Sequence, residues 1–270
     1  MAVVLAGGCR VSEMCEGEPL TQGTLHIWNR IGRATGAQAI SLRVMEFLPG
    51  LSPVIQNDDC DEILYLLPRG DDSDTASVKL FINQCSFEIS SDSGIYIRPG
   101  ETFGIYNPGP DSVTIISSQC PDPNRAPQFT QAAGDRSVSS RDHAQDARAT
   151  FIHQDAPIVR LADQKSQPTG DRWYRVLVDD EIGSTQVTQF VGSIPPGRAP
   201  DHFHHYEEVL FILKGEGLMW AGESHTPIAR GSCIYLPKGQ IHCVENTGAG
   251  ELRLLGVFYP AGSPSVRYDV

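Results

Sequence analysis

Histidines are concentrated in one short part of the chain. Five of the eight histidines lie between residues 202 and 242 of the 270-residue sequence. His202 and His204 are two residues apart, which places both rings on the same face of a β-strand. Glu208 follows with the same parity, and His242 can reach the same interior from a neighbouring strand. Three neutral imidazoles and one carboxylate suit Mn, Fe, Co, Ni, Cu or Zn, so these four residues predict a metal site.

The number of ligands bears on what such a site could do. An octahedral metal with four protein ligands keeps two positions open for substrate, water or dioxygen, as catalytic rather than structural sites do. Glu208 can also act as a base if its carboxylate loosens during turnover. His205 has the opposite parity and His225 lies in a turn region rich in Gly, Ser and Pro, so neither is expected among the ligands.

The strands around these residues predict an apolar pocket. Parity from Glu208 and His242 places Leu210, Ile212 and Val244 on the interior face. For residues 252–259, parity does not decide which of the two alternating sets of side chains faces the interior. An apolar cavity around a metal suits a small organic substrate. Tyr206 and Arg198 are, with Glu208, the candidate catalytic residues. Further candidate anchors for a substrate are Gln189, Tyr235 and Arg253.

Short β-branched and aromatic runs divide the chain into two strand-rich segments, at about residues 23–118 and 173–259. Three stretches repeat in the same order, which indicates one duplicated β-domain. The matching stretches are Pro49-Gly50 with Pro196-Gly197, Glu62–Leu67 with Glu208–Leu213, and Pro99–Gly109 with Lys238–Gly248. We therefore predict an N-terminal domain over residues 1–119, a polar linker over 120–149 with a short helix near 142–149, and a C-terminal domain over 150–270.

The N-terminal copy lacks the predicted ligands. Counting back from Glu62, the counterpart of Glu208, puts Gln56 and Asp58 at the places of His202 and His204, and the repeat puts Phe103 at the place of His242. A phenylalanine ring cannot coordinate a metal. We expect one divalent transition metal per chain and leave open whether the N-terminal domain holds another small ligand.

Two motifs resemble those of the cupin superfamily. The second family motif, G-x5-P-x-G-x2-H-x3-N, is complete in Gly231, Pro237, Gly239, His242 and Asn246. The first, G-x5-H-x-H-x3,4-E-x6-G, is formed by Gly197, His202, His204, Glu208 and Gly215, with four residues instead of five after the first glycine. Together with the repeat, the resemblance implies an all-β bicupin, which is two tandem jelly-roll barrels in one chain.

The resemblance leaves several activities open. A dioxygenase is the first expectation, with O2 as co-substrate. The alternatives are an isomerase, lyase, decarboxylase or hydrolase that uses the metal as a Lewis acid, and a small-ligand-binding protein without catalysis. Oxalate decarboxylase and oxalate oxidase share this ligand set, but we expect an oxalate enzyme to carry the set in both halves or a longer chain, which argues mildly against one here.

Composition excludes several classes of partner. The net charge of −12 argues against nucleic acid, and no apolar run approaches the ~18 residues of a membrane helix. The short apolar start at residues 1–9 lacks the basic residues of a signal peptide. Seven cysteines without a C-x-x-C pair predict reduced thiols and a cytoplasmic protein. The expected partner is a small-molecule substrate, and a homo-oligomer is compatible with the sequence.

Overall fold

The protein is described by a computed structural model that covers residues 1–57, 59–70, 77–130 and 157–266 and the backbone of 268–269. Within these residues the chain is almost entirely β-structure, with four short 3-10 turns at Ala6–Gly8, Arg33–Thr35, Leu161–Asp163 and Asp180–Ile182. The first fourteen strands are β1 (Val3–Val4), β2 (Arg10–Glu13), β3 (Leu20–Gln22), β4 (Leu25–Ile31), β5 (Leu42–Phe47), β6 (Gly50–Leu51), β7 (Val54–Gln56), β8 (Asp61–Leu66), β9 (Ser77–Ile82), β10 (Cys85–Ser90), β11 (Ser93–Ile97), β12 (Thr102–Asn107), β13 (Val113–Cys120) and β14 (Gln128–Thr130). The remaining strands are β15 (Ile158–Arg160), β16 (Gln167–Thr169), β17 (Arg172–Val178), β18 (Thr188–Ile194), β19 (Gly197–Arg198), β20 (His202–Phe203), β21 (Glu207–Lys214), β22 (Glu216–Ala221), β23 (Ser224–Ala229), β24 (Ser232–Leu236), β25 (His242–Asn246), β26 (Leu252–Tyr259) and β27 (Tyr268–Asp269).

Each half of the chain forms a barrel from one large and one small antiparallel sheet. The N-terminal barrel pairs a large sheet in the order β15-β11-β8-β13-β5-β4-β3 with a small sheet in the order β10-β9-β12-β7-β14. The C-terminal barrel pairs β1-β2-β24-β21-β26-β18-β17-β16 with β23-β22-β25-β20-β27. The predicted all-β fold of two tandem jelly-roll barrels is confirmed.

The two halves exchange edge strands. Strands β1 and β2, at the start of the chain, extend the large sheet of the C-terminal barrel through pairing with β24. In the opposite direction, β15 pairs with β11 of the N-terminal barrel, although it follows the first half in sequence. The predicted domain limits at residues 119 and 150 remain a proposal, and most of the proposed linker, with its predicted helix, lies outside the described residues.

Alternating side chains divide the apolar core into three clusters. One cluster fills the N-terminal barrel and a second fills the C-terminal barrel, where it includes Leu210, Ile212 and Val244 on the faces predicted from parity. Leu252, Leu254 and Phe258 also lie in this second cluster, which settles the parity of β26. The third cluster lies between the barrels and buries the opposite faces of the large sheets.

The register of the small sheets defines which residues of the two halves correspond. In the C-terminal barrel His202 pairs with His242, and in the N-terminal barrel Ile55 pairs with Phe103. Ile55 and not Gln56 therefore stands at the place of His202, because the loop before Glu62 is one residue longer than the loop before Glu208. Asp58, predicted at the place of His204, lies outside the described residues, and the backbone contact of Asn57 with Gly100 matches that of His204 with Gly239.

A pair of buried acidic residues ties each barrel to the other. The Glu207 carboxylate accepts hydrogen bonds from the Tyr235 hydroxyl of its own barrel and from the backbone N–H groups of Gln38 and Ala39 in the N-terminal half, at 2.8 and 2.6 Å. Asp61 accepts from Tyr96 of its own barrel and from Gln186 of the C-terminal half, at 3.0 Å. These contacts are related by the same duplication as the barrels.

The remaining sequence expectations concern thiols and membranes. All seven cysteines are free, five of them buried, in agreement with the expectation of reduced thiols. The described part of the chain has no helix that is long and apolar enough to cross a membrane.

Candidate metal centre in the C-terminal barrel

Three histidines meet inside the C-terminal barrel. Pairing of β20 with β25 sets His202 opposite His242, and His204 follows two residues later with the same parity. The ring centroid of His202 lies 4.4 Å from that of His242 and 4.9 Å from that of His204. One ring nitrogen from each of the three residues lies within 4.8 Å of the others. The strand register therefore brings together the three imidazoles that the sequence selected.

Glu208 joins the triad from the opposite sheet. Strand β21 holds this residue with only 5% of its surface exposed, and its Oε2 atom lies 3.6 Å from Nε2 of His204. The next residues of matching parity, Leu210 and Ile212, continue into the apolar core. Glu208 is thus the carboxylate at the bottom of the barrel, facing the histidine rings.

Backbone carbonyls fix the tautomers of two rings. Nδ1 of His202 lies 3.1 Å from the carbonyl oxygen of Pro200, and Nδ1 of His242 lies 2.8 Å from that of Gln240. Because a carbonyl only accepts, each Nδ1 carries the proton, and each Nε2 keeps its lone pair. Hydrogen bonding of this kind orients the histidine ligands of metal sites. The donor set fits a divalent cation held by Nε2 atoms and a carboxylate.

Burial keeps these groups neutral in the protein. Loss of solvent, followed by the proximity of His242 and His202, lowers the pKa of His204 to about 3. Burial, followed by the proximity of His202, lowers the pKa of His242 to about 4, and burial raises the pKa of Glu208 to about 8. Neutral imidazoles are the form that binds metal, and a divalent cation would supply the positive charge that favours the ionised Glu208.

Aromatic side chains form the wall next to the triad. Tyr206 stacks between His204 and Phe258, with centroid separations of 4.6 and 4.4 Å and near-parallel rings. Phe190 packs against Phe258 at 6.0 Å, and a side chain at Gly256 would collide with the Phe190 ring, since a Cβ atom there would lie 2.3 Å from Cε1. The predicted candidate Tyr206 therefore lies at the site, and the pocket wall is apolar.

Arg198 does not lie at the site. Its guanidinium is stacked 4.1 Å from the Trp220 ring centroid and bonded to Asp201 and to the Cys243 sulfur. Cys243 lies between His242 and Val244, so it points to the outer face of β25. The catalytic role expected for Arg198 is not supported, because β19 turns this side chain away from the barrel interior.

The other anchors expected from the sequence also lie elsewhere. Gln189 and Tyr235 face the interface between the barrels, where they contact the Leu64 carbonyl and Glu207. Arg253 pairs with Glu251 and lies over Trp173. His205 and His225 are exposed, as parity and composition suggested, although His225 is part of strand β23 and stacks on Trp220.

Two parts of the site were not predicted from the sequence. The chain returns at Tyr268–Asp269 to pair with His202 and Phe203, so that its C-terminal segment runs beside the ligand strand. Phe190 and Phe258 line the barrel although neither was singled out. Parity along β26 offered Phe258 as one of two choices, but nothing in the residues themselves selected it.

Comparison with known proteins supports this description. The family model described as "Cupin domain" matches residues 190–258. Auxin-binding protein 1 of Arabidopsis thaliana is 34% identical over 83 residues, which are 27% of this chain and 42% of that protein. An oxalate-binding protein of Thermotoga maritima is 36% identical over 66 residues, 24% of this chain and 54% of that protein. The chain thus spans about half the length of the curated relatives it matches.

Solved structures extend the similarity over both barrels. Oxalate decarboxylase from Bacillus subtilis at pH 4.6 has a TM-score of 0.70 with 13% identity, covering 93% of this chain and 76% of that one. A serine-to-alanine mutant of the same enzyme has a TM-score of 0.71 with 14% identity, covering 93% and 77%. At this identity the likeness concerns the fold, which is that of a bicupin. The chain therefore has the fold of a two-domain cupin, and its histidine triad lies in the C-terminal barrel, within the residues that match the cupin domain model.

Proposed function

We propose that the C-terminal barrel is the centre of a metal-dependent lyase that decarboxylates a small carboxylic acid. His202, His204, Glu208 and His242 would hold one divalent metal. The observation that carries the proposal is the convergence of three ring nitrogens within 4.8 Å of one another, beside a buried carboxylate. Such a set leaves positions for a substrate.

The choice of a decarboxylase depends on the relatives. The solved structures that match both barrels include an oxalate decarboxylase, and one curated relative of the C-terminal domain is named for binding oxalate. These proteins favour the decarboxylase alternative over the dioxygenase that the sequence put first. The N-terminal barrel of this chain lacks the second ligand set that we expect of an oxalate enzyme, so the acid is proposed only as a class.

Charge and shape support a small anionic substrate. A divalent cation and one carboxylate leave a net charge of +1 inside the barrel, which attracts a small anion. The wall formed by Leu210, Ile212, Val244 and Phe258 is apolar and excludes water from the reacting carboxylate.

The reaction needs a proton at a defined place. Cleavage of the carbon–carbon bond releases CO2 and leaves an electron pair on the adjoining carbon, which must accept a proton. A divalent cation bound by the triad would withdraw electron density from the substrate carboxylate and stabilise this developing charge. Tyr206 bears the proton nearest the triad, and the ionised Glu208 can accept a proton if its carboxylate leaves the metal, so we assign the proton transfer to this pair. The Tyr206 ring also stacks on the face of the His204 ring.

The experiment compares turnover with and without oxygen. Purified protein loaded with Mn, Fe, Co, Ni, Cu or Zn is given oxalate or a small 2-oxo acid under nitrogen and under air, and CO2 is measured. We expect equal turnover in both atmospheres and none after chelation. Consumption of O2 in proportion to product would establish the dioxygenase instead, and turnover that survives removal of the metal would refute the mechanism.

The Glu208→Gln variant separates two roles of this residue. If metal content is retained and turnover is lost, Glu208 carries the proton. If the metal is lost as well, Glu208 acts as a ligand. The Arg198→Gln variant serves as the matched control and should retain at least half of the parent activity, because Arg198 lies on the outer face of the sheet.

A further inference from the structure

The N-terminal barrel carries a buried cation beside Glu62, the counterpart of Glu208. Arg43 is 3% exposed, and its Nη2 atom donates to Oε1 of Glu62, which is fully buried. Ser117 accepts from Nη2 of Arg43 at 3.0 Å and donates to the same Glu62 oxygen at 2.7 Å. Gln119 donates to the other Glu62 oxygen at 3.2 Å. The carboxylate kept by the duplication is thus neutralised by a guanidinium.

The register identifies what Arg43 has replaced. Arg43 pairs with Ser117, which pairs with Leu64, two residues after Glu62. In the other barrel Phe190 pairs with Gly256, which pairs with Leu210, two residues after Glu208. Arg43 therefore stands at the place of Phe190, and its charge lies across the barrel from Ile55 and Phe103.

A pocket opens above this guanidinium at the mouth of the barrel. Six of its lining side chains are polar, and among the described residues the lining contains no carboxylate; the six are Arg43, Gln56, Asn57, Gln119, Arg125 and Gln128. The enclosed space is about 10 Å³, which admits one water-sized group. An oxygen atom of a ligand can enter, while the rest of the ligand stays at the rim.

The donor atoms of Arg43 point to the kind of ligand. Its hydrogen bonds to Glu62 and Ser117 use Nε and Nη2, and within the described part of the chain Nη1 has no hydrogen-bond partner. A guanidinium has five N–H donors. Nη1 of Arg43 is not among the fully buried unpaired atoms of the described residues, so it stays open to the pocket and can donate to an acceptor that enters through the mouth.

We propose that the N-terminal barrel binds a small carboxylate, one of whose oxygens accepts from Nη1 of Arg43 while Arg125 attracts the anion at the rim. Arg125 is 38% exposed and is paired with Asp59 at 2.7 Å. Since Glu62 and Asp59 balance the two arginines, the attraction is moderate, and we expect a dissociation constant of about 1 mM. The pocket contains none of the histidine triad, so this site does not depend on the proposed function of the C-terminal barrel.

The test first removes the proposed metal site of the C-terminal barrel and then measures carboxylate binding by the N-terminal barrel. In a His202→Ala/His242→Ala variant treated with a chelator, acetate is titrated against the protein and amide chemical shifts are recorded, with acetamide as the uncharged control. We expect saturable shifts for residues around Arg43 and Gln119, centred on the N-terminal barrel, and none with acetamide. Absence of saturation up to 50-fold above the expected dissociation constant, or equal shifts with acetamide, would overturn the proposal.

Two further variants locate the anion. Arg125→Gln changes a side chain at the rim and is expected to weaken acetate binding three- to tenfold with an unchanged melting temperature. Arg43→Met/Glu62→Met replaces the buried ion pair by apolar side chains of similar size, a change that proteins often tolerate, and should abolish binding. Circular dichroism verifies that both variants are folded. Binding equal to that of the parent in both variants would refute the assignment to Arg43 and Arg125.

Discussion

The two barrels share one fold and place their polar groups on opposite sheets. In the C-terminal barrel the small sheet presents His202 and His242, and the large sheet presents Phe190 and Phe258 around Glu208. In the N-terminal barrel the small sheet presents Ile55 and Phe103, and the large sheet presents Arg43, Ser117 and Gln119 around Glu62. A buried carboxyl group stays ionised only beside a cation. The comparison indicates that a guanidinium meets this need in one barrel and a metal can meet it in the other.

The largest expected effect is on metal content. His242→Ala removes one of four proposed ligands, so metal per chain, measured by elemental analysis, should fall at least tenfold from a value near one. The matched change in the other barrel, Phe103→Leu, should leave metal content unchanged. A parent protein with two metals per chain, or equal loss in both variants, would contradict the assignment of a single centre.

The next effect concerns the ion pair of the N-terminal barrel. Arg43→Met leaves Glu62 buried without its cation and should lower the free energy of unfolding by about 3–5 kcal/mol in urea titrations. The Arg43→Met/Glu62→Met double variant should recover most of that loss. If the single and double variants unfold at the same urea concentration, the guanidinium does not neutralise Glu62 as we describe.

A smaller effect is expected where the two barrels differ in a single small side chain. Gly256→Ala forces a Cβ atom into the Phe190 ring and should cost about 2–3 kcal/mol of stability, because overpacked cores cannot relax fully. The corresponding Ser117→Gly removes hydrogen bonds to Arg43 and Glu62 and should cost about 1–2 kcal/mol. Thermal melting of both variants shows which of them loses more stability. If Gly256→Ala melts at the same temperature as the parent protein, the Phe190 ring can move aside.

The smallest effect is expected for the hydroxyls that contact the acidic residues between the barrels. Tyr235→Phe and Tyr96→Phe each remove one donor to a carboxylate that keeps other donors, Gln38 and Ala39 in one case and Gln186 in the other. Each should cost about 1 kcal/mol in urea unfolding, and the two losses should add, because the sites lie in different barrels. A strongly non-additive double variant would show that the two contacts act as one unit.

Much of the fold could be predicted because strand periodicity and repeated motifs are local signals. Strand Leu25–Ile31 lies at the start of the first predicted strand-rich segment, and the interior positions of Leu210 and Ile212 follow from parity alone. The same logic selected the triad. The prediction that Gln56 stands at the place of His202 was wrong, because an extra residue in the loop before Glu62 shifts every position counted back from Glu62.

The remaining features depend on long-range contacts. Arg43 is not close in sequence to Glu62, and only the pairing of β5 with β13 and of β13 with β8 brings them together. The outward direction of Arg198, a predicted catalytic residue, is set by a two-residue strand pairing with β25. The pairing of β1 and β2 with the second barrel has no sequence signal that we could identify.

The exchanged edge strands also determine what would follow from cleavage of the backbone between the halves. A chain cut anywhere from residue 131 to 156 would yield an N-terminal fragment that still contributes β1 and β2 to the second barrel, and a C-terminal fragment that still contributes β15 to the first. The fragments would migrate as one particle until denatured. Expressed as separate polypeptides, they should assemble as a heterodimer, and neither should be soluble without the other, because each alone exposes the apolar face buried between the large sheets.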